Sequence, residues 1–439
     1  MVWDVDSVLP ANLSPAPHLA AIDAEAWPGV AAVPAGWAAR LRAGRAERAF
    51  ARACAKAGVC LDPEQGADLV VEEEALFARI GESGWVGLAE GFMAGEWSTE
   101  GTDQLVDVLS ALISAGYRPR ARTRPGVRDS AGGEVPPDLV AHFAGDGLSA
   151  FQGHFSTGVP TTERIAVKSW VRDRGASRTH FVDVTTISAP LDSGREDLRD
   201  AQQRSAEMLL DACGVGAGTH LAEWAASSAS VAIAAAARRA TVDCFVSDPD
   251  LERAIAERAL FAGAGDAIRA EVADGAPRRG NYDAVVGVEK LEALAPRQKA
   301  AYLKRLGAMI QPGGRVALQT IARTEGYSPA ADAAAESLRA YIWPGLSFST
   351  PVEIAKLVDR STGLRIVAQT HAPQHLEAPL RLQRHTFDAH LREAAADGFD
   401  VVYRRLWQWQ FALREALARL GMLDLTQFTF VPRSRQGRR

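Results

Sequence analysis

The stretch from His220 to Ser230 reads HLAEWAASSAS, and the fold is decided by what lies on either side of it. Before it, REDLRDAQQRSAEMLLDACG (195–214) has a helical period and ends in glycine-spaced turn residues. After it, SVAIAAAARRA (230–240) is again helix-like. The stretch itself begins as a buried strand and turns into a helix, at the place where a nucleotide-type cofactor meets a helix N-terminus. Loops at that place usually need glycine. Here Ala225, Ser227 and Ala229 stand where a G-x-G-x-G would be.

Toward the C-terminus the alternation is regular. ATVDCFVS (240–247) reads as a strand, DLERAIAERALFAG (250–263) as a helix and IRAEVA (268–273) as a short strand. NYDAVVGVE (281–289), APRQKAAYLKRLGAMI (295–310), the turn QPGG (311–314) and RVALQTIA (315–322) continue the series. Strands and helices alternating at these lengths predict a doubly wound, mostly parallel α/β sheet of the Rossmann-like kind.

Toward the N-terminus the signals differ. Residues 1–35 are rich in Ala, Pro and Ser without a sustained period, which predicts a flexible lead-in. Residues 36–118 predict a small accessory domain, opening on the basic, helix-friendly WAARLRAGRAERAFARACAKAG (37–58). Such a helix suits an anionic membrane surface or, equally, the solvated face of an ordinary helix. The segment containing Phe92 and Trp97 reads as a turn-rich, glycine-spaced knot. Residues 119–138, with Arg, Gly and Pro and no hydrophobic period, predict a linker, and 139–190 a lid-like connection.

Of 439 residues, 47% are hydrophobic and 23% charged, and the formal net charge is -5. That composition fits a globular chain with real cores and makes nucleic acid a poor partner. The four cysteines, Cys54, Cys60, Cys213 and Cys244, have no C-x-x-C spacing, so neither a zinc site nor a disulfide framework is expected. His142, His154 and His180 are too irregularly spaced for a metal, and His371, His375 and His385 read as solvated histidines; no metal is expected. Trp407 and Trp409 are expected to pack the last helix against the sheet. Without a secretory pattern or a span of about 20 apolar residues, a cytoplasmic location is expected.

Several strings in order resemble the cyclopropane-fatty-acyl-phospholipid synthase family, including its branch that methylates oleoyl chains. They are GLAEGFMAGEWS (87–98), AHFAGDGLSAF (141–151), LRDAQQR (198–204), NYDAVVGVEKLEAL (281–294), QPGGRVALQTI (311–321), YIWPG (341–345) and GMLDLTQFTFVPR (421–433). The resemblance runs from Trp27 to Arg433. It implies a seven-stranded class I methyltransferase domain over residues 139–433, followed by a basic tail at 434–439. The implied reaction is methyl transfer from S-adenosylmethionine to a cis double bond of a phospholipid acyl chain. A bound bicarbonate then takes a proton from the resulting carbocation.

Residue by residue, the resemblance places Glu223, Ala225, Ser227, Ala229, Ser247, Asp250 and Asp274 around the cofactor. It places Glu292 and Gln319 at the bicarbonate and Tyr341 beside the carbocation. The chain departs from the pattern at the three glycines, at Leu376 where an ion-binding tyrosine is usual, and at Gln383 where a tryptophan is usual. The cysteine of the family's T-Y-S-C-A has no counterpart near STGVPTTE (156–163). Two readings follow. One is a methyltransferase acting on phospholipid acyl chains at the inner membrane surface, as a peripheral protein. The other is a degenerate paralogue that serves as lipid-binding scaffold for an active homologue or a reductase. The oligomeric state stays open in both.

Overall fold

A computed structural model of the chain describes residues 13–14, 17–122, 135–172, 177–273 and 280–433. The chain divides into two compact units. Unit 1 takes residues 1–131, 327–344 and 391–420, and unit 2 takes the remainder.

Unit 1 is largely helical. Two short strand pairs, β1 (Leu13–Ser14) with β2 (Val33–Pro34) and β3 (Val70–Val71) with β4 (Trp97–Ser98), accompany the helices. The helices are α1 (Trp37–Ala57), α2 (Ala75–Ser83), α3 (Trp85–Ala94), α4 (Thr102–Ser114), α10 (Pro329–Tyr341), α13 (Leu391–Ala396) and α14 (Val401–Arg419). The segment expected to be a turn-rich knot is in fact α3. Its glycines serve helix contact: a Cβ on Gly87 would sit 2.2 Å from the Arg79 carbonyl oxygen, and one on Gly91 2.6 Å from Leu76 Cδ1. Glycine is thus retained inside a helix, despite its cost there, because α2 passes too close for a side chain.

Part of the expected lead-in is built into this core. Leu19 and Val30 are buried, and the guanidinium of Arg79 donates to the carbonyl oxygens of Gly29 (2.8 Å), Val30 (2.7 Å) and Ala32 (3.0 Å). The C-terminal tryptophans also depart from expectation. Trp409 packs on Phe92 and Trp97 at ring separations of 5.9 and 6.1 Å and donates its indole N–H to Ser337. Trp407 stacks on Tyr403 at 5.5 Å. Both therefore belong to the helical unit, and the last helix serves α3 and α4 rather than the sheet.

Unit 2 holds a nine-stranded sheet in the order β5-β6-β12-β13-β11-β10-β7-β8-β9. The strands are β5 (Pro160–Lys168), β6 (Thr179–Ile187), β7 (His220–Trp224), β8 (Thr241–Val246), β9 (Ile268–Val272), β10 (Tyr282–Val288), β11 (Ile310–Arg323), β12 (Leu364–His371) and β13 (Leu423–Pro432). The seven from β12 to β9 form the expected doubly wound core. Within it β13 runs antiparallel to both neighbours, β11 and β12, and the remaining pairings are parallel. The hairpin β5–β6 adds two strands alongside β12. The segment expected to be a lid-like connection is therefore part of the sheet.

Helices α6 (Asp197–Cys213), α7 (Ser230–Ala237) and α8 (Pro249–Phe261) cover one face, and α9 (Pro296–Met309) and α11 (Pro351–Ser361) the other. The remaining helices are α5 (Pro137–Ala141) and α12 (Gln374–Ala389). Strand alternation explains why the central strands are apolar throughout. Ala284, Val286 and Val288 of β10 face the α6–α8 cluster, while Tyr282 and Val285 face α9. Gly287 is required where β10 passes the Tyr302 hydroxyl, which would lie 2.3 Å from a Cβ. Among the described residues no helix is long and apolar enough to cross a membrane.

Candidate functional site

In this sheet the strand order reverses between β7 and β10, and the crevice beyond their C-terminal ends is where open α/β sheets take ligands. Two loops line it: Ala225–Ala229 after β7, and Glu289–Glu292 after β10.

The first loop keeps a left-handed residue at its start. Ala225 has φ 61, in the left-handed region, and it is the only residue of the loop with positive φ. Ala229 has φ -86 and ψ -5, an ordinary helical conformation at the start of α7. Of the three missing glycines, then, only the first was needed for its backbone angles. The Ala226 N–H donates to the Phe245 carbonyl oxygen at 2.9 Å, which ties the loop to β8. Trp224 does not close the crevice on the Glu223 side. Its ring packs against Phe245 at 5.2 Å and beneath the Arg305 guanidinium at 4.9 Å, on the α9 face of the sheet.

Glu223 points the other way and is 2% exposed. The Cys244 thiol, 3.9 Å from Oε2, is its hydrogen-bond partner. Burial pushes this carboxyl up to about 8, opposed only weakly by the thiol. At neutral pH Glu223 is therefore protonated and can donate a hydrogen bond. Ser247 and Asp250 follow β8 and are exposed. Asp250 pairs with Arg253 at 2.7 Å, while Asp248 between them caps α8 by accepting from the Leu251 N–H. Ser227 is half-buried, and Asp274 lies outside the described residues.

The loop therefore fits a nucleoside-type methyl donor. Ala225 is left-handed, the buried Glu223 carboxyl near the end of β7 is held toward its protonated form, and Ser247 and Asp250 lie exposed after β8. A bicarbonate ion fits less well. Gln319 donates to the Gln152 carbonyl oxygen and to Glu289 Oε1, both at 2.9 Å, and accepts from Gln427 Nε2 at 2.8 Å. Glu292 accepts from the Thr320 hydroxyl (2.7 Å) and the Ile321 N–H (3.1 Å). Leu376, where a tyrosine hydroxyl would serve the ion, is fully buried. Gln319 and Glu292 leave no donor for an anion, and no step is derived through one. Glu292 and Gln319 do share unit 2. Tyr341 belongs to unit 1, where its hydroxyl donates to Glu90 at 2.6 Å.

Two groups at the crevice were not singled out from sequence. Glu289, directly after β10, has φ 44, and its Oε1 accepts from the Gln152 N–H at 2.7 Å and from Gln319. Residue type gives no hint of a left-handed glutamate. Asp146 accepts from the hydroxyls of Ser149 (2.7 Å) and Ser230 (2.8 Å), placing a carboxylate at the N-terminus of α7. Its D-G-x-S setting was a usable turn signal.

Among the described residues no group of three or more His, Cys, Asp or Glu side chains is placed to hold a metal ion. His375, expected to be solvated, is fully buried: its Nδ1 accepts from the Phe155 N–H and its Nε2 lies 2.8 Å from the Ser188 carbonyl oxygen. His154 is also buried, which lowers it to about 3 and keeps it neutral.

Comparison with known proteins identifies the family and the fold. The chain is 29% identical over 433 residues to the tuberculostearic acid methyltransferase UfaA1 of Mycobacterium tuberculosis, covering 94% of this chain and 96% of that one. The cyclopropane synthase MmaA2 from Mycobacterium tuberculosis superposes with a TM-score of 0.51 at 16% identity, over 67% of this chain and 94% of that one. Coclaurine N-methyltransferase, solved with N-methylheliamine and SAH, gives 0.54 at 11% identity, over 79% and 99%. These two likenesses show the fold. The mycolic acid cyclopropane synthetase family profile matches residues 185–428, more than half of the sequence, and the chain belongs to that family.

Proposed function

We propose that this chain transfers a methyl group from S-adenosylmethionine to the double bond of an unsaturated phospholipid acyl chain. The observation that carries this reading is the conformation of Ala225: it holds the left-handed conformation that glycine adopts freely, even though alanine is strained there. Family membership and the likeness to a tuberculostearic acid methyltransferase support the lipid substrate. When bound, the sulfonium donor supplies the methyl group. The chain's own part is to hold the donor on the Ala225–Ala229 backbone and to present the protonated Glu223 to it. Ser247 and Asp250 receive its ribose hydroxyls. At the end of β10, the Glu289 carboxyl faces the positive charge that develops on the acyl chain.

The test is incubation of the purified chain with methyl-labelled donor and dioleoyl phospholipid. A one-carbon gain in the acyl chain is expected. A second reading, the scaffold partner of an active methyltransferase or a reductase, is favoured by the internally satisfied Gln319 and by Leu376. It requires that the chain alone gives no labelled lipid, and that it co-purifies with an active partner. Replacing Ala225 by glycine is expected to relieve the left-handed strain and raise stability by about 1 kcal/mol. The same change should tighten donor binding. Denaturant unfolding beside a donor titration reads both, and a less stable A225G chain would contradict the assigned backbone path.

A further inference from the structure

Unit 1 carries a groove that the methyl-transfer reading does not use. It has a volume of about 790 Å³ and lies between α1, the α2 residues Ile80 and Gly81, and the segment 115–122. Arg42, Arg45, Arg52 and Lys56 line it from α1, and Arg118, Arg120 and Arg122 from the segment after α4. Among the described residues no acidic side chain lines it, in a chain whose formal net charge is -5. Arg42 is paired with Glu82 at 2.6 Å, and Lys56 donates to the Ala115 carbonyl oxygen. The remaining five cations have no acidic partner among the described residues.

A further observation points to a lipid surface, and it is on α1 itself. Trp37, Leu41, Arg45, Arg48, Arg52 and Lys56 fall on one side of the helix by their spacing, opposite the buried Ala39, Phe50 and Cys54. Trp37 is 78% exposed and Leu41 57%. An exposed tryptophan and leucine continuing a basic stripe match an interfacial helix lying on an anionic lipid surface.

We propose that this groove binds the phosphate headgroups of anionic phospholipids at a membrane surface, with Trp37 and Leu41 entering the interface beside it. Such binding needs no methyl donor, so its failure would leave the methyl-transfer reading untouched, and the reverse also holds.

The experiment is co-sedimentation of the full chain, without donor, with phosphatidylcholine vesicles that contain or lack phosphatidylglycerol. Partition into the anionic vesicles is expected, weakening as salt is added. The triple variant Arg45→Glu, Arg52→Glu, Arg120→Glu should bind at least about tenfold more weakly, with unchanged circular dichroism because all three side chains are exposed. Trp37→Ala should weaken binding at every salt concentration, whereas Lys304→Glu, an exposed change in unit 2, should leave it within about threefold. Equal partition into both vesicle types, or a triple variant that sediments like the unaltered chain, would overturn the proposal. So would binding of inorganic phosphate or a short RNA that the triple variant abolishes while vesicles are ignored.

Discussion

Replacing Arg79 by alanine is expected to lower stability by about 3–5 kcal/mol, among the largest effects of any single substitution in unit 1. Arg79 is fully buried, as is Glu96, whose two oxygens each lie 2.9 Å from Nε. The other two nitrogens hold the carbonyl oxygens of Gly29, Val30 and Ala32. Removing the guanidinium leaves the buried Glu96 carboxylate with only His18 Nε2, 3.1 Å away, and takes the donor from three carbonyl oxygens, one of them buried, which is why the cost exceeds the worth of the ion pair itself. It also leaves Glu90, 3.9 Å from Nη1 and already raised to about 7 by burial, without the cation that draws it down. Urea unfolding followed by tryptophan fluorescence checks this. A loss below about 1 kcal/mol would contradict a structural role for the cluster. The double change Arg79→Met, Glu96→Gln should cost less than Arg79→Ala alone, because no buried charge at position 96 is then left unpaired.

The second large effect is a pH dependence centred on Glu223. Its folded value of about 8 stands above the ordinary carboxyl value of 4.5. Below the ordinary value the group is protonated in both folded and unfolded chains, and its favourable contribution is fully present. As pH rises toward 8 the unfolded chain ionises first, so stability falls across that window and levels off above it. Glu223→Gln does not titrate. The variant should match the natural chain near pH 4.5 and exceed it near pH 8, by an amount on the order of a few kcal/mol. Unfolding both proteins at the two ends of the window gives the comparison. Parallel curves would mean that Glu223 ionises normally, and the hydrogen-bond donor assigned to it would be lost.

The sheet was legible because its central strands are buried on both faces. Runs such as DAVVGV and TVDCFV can hardly be anything else when helices of 10 or more residues separate them. The β5–β6 hairpin was not legible for the opposite reason. β5 is almost wholly exposed, so PTTERIAVK shows no hydrophobic alternation to read. Helix α3 was hidden by glycines whose purpose, the approach of α2, is a tertiary fact. Residues 327–344 and 391–420 look continuous with the sheet-forming chain, yet they pack in unit 1, because Ser337 and Trp409 answer to each other and to Phe92. At the crevice, the positions of Glu223 and Ala225 at the end of a buried strand were legible from the hydrophobic run before them. Glu289 could not, since its left-handed conformation is set by hydrogen bonds from residues over 100 positions upstream and 30 downstream. The separation of Tyr341 from Glu292 and Gln319 into different units was equally invisible in a linear order of motifs.

All of this turns on whether the loop after Glu223 still holds a methyl donor with alanine where glycine is usual. Isothermal titration of the natural chain with S-adenosylmethionine answers it most directly. Saturable binding is expected, tightened by Ala225→Gly, with little further gain from changing Ser227 and Ala229 to glycine because neither uses a positive φ. No heat at millimolar donor from the natural chain, with binding appearing only when all three glycines are restored, would contradict methyl transfer and leave the scaffold reading in its place.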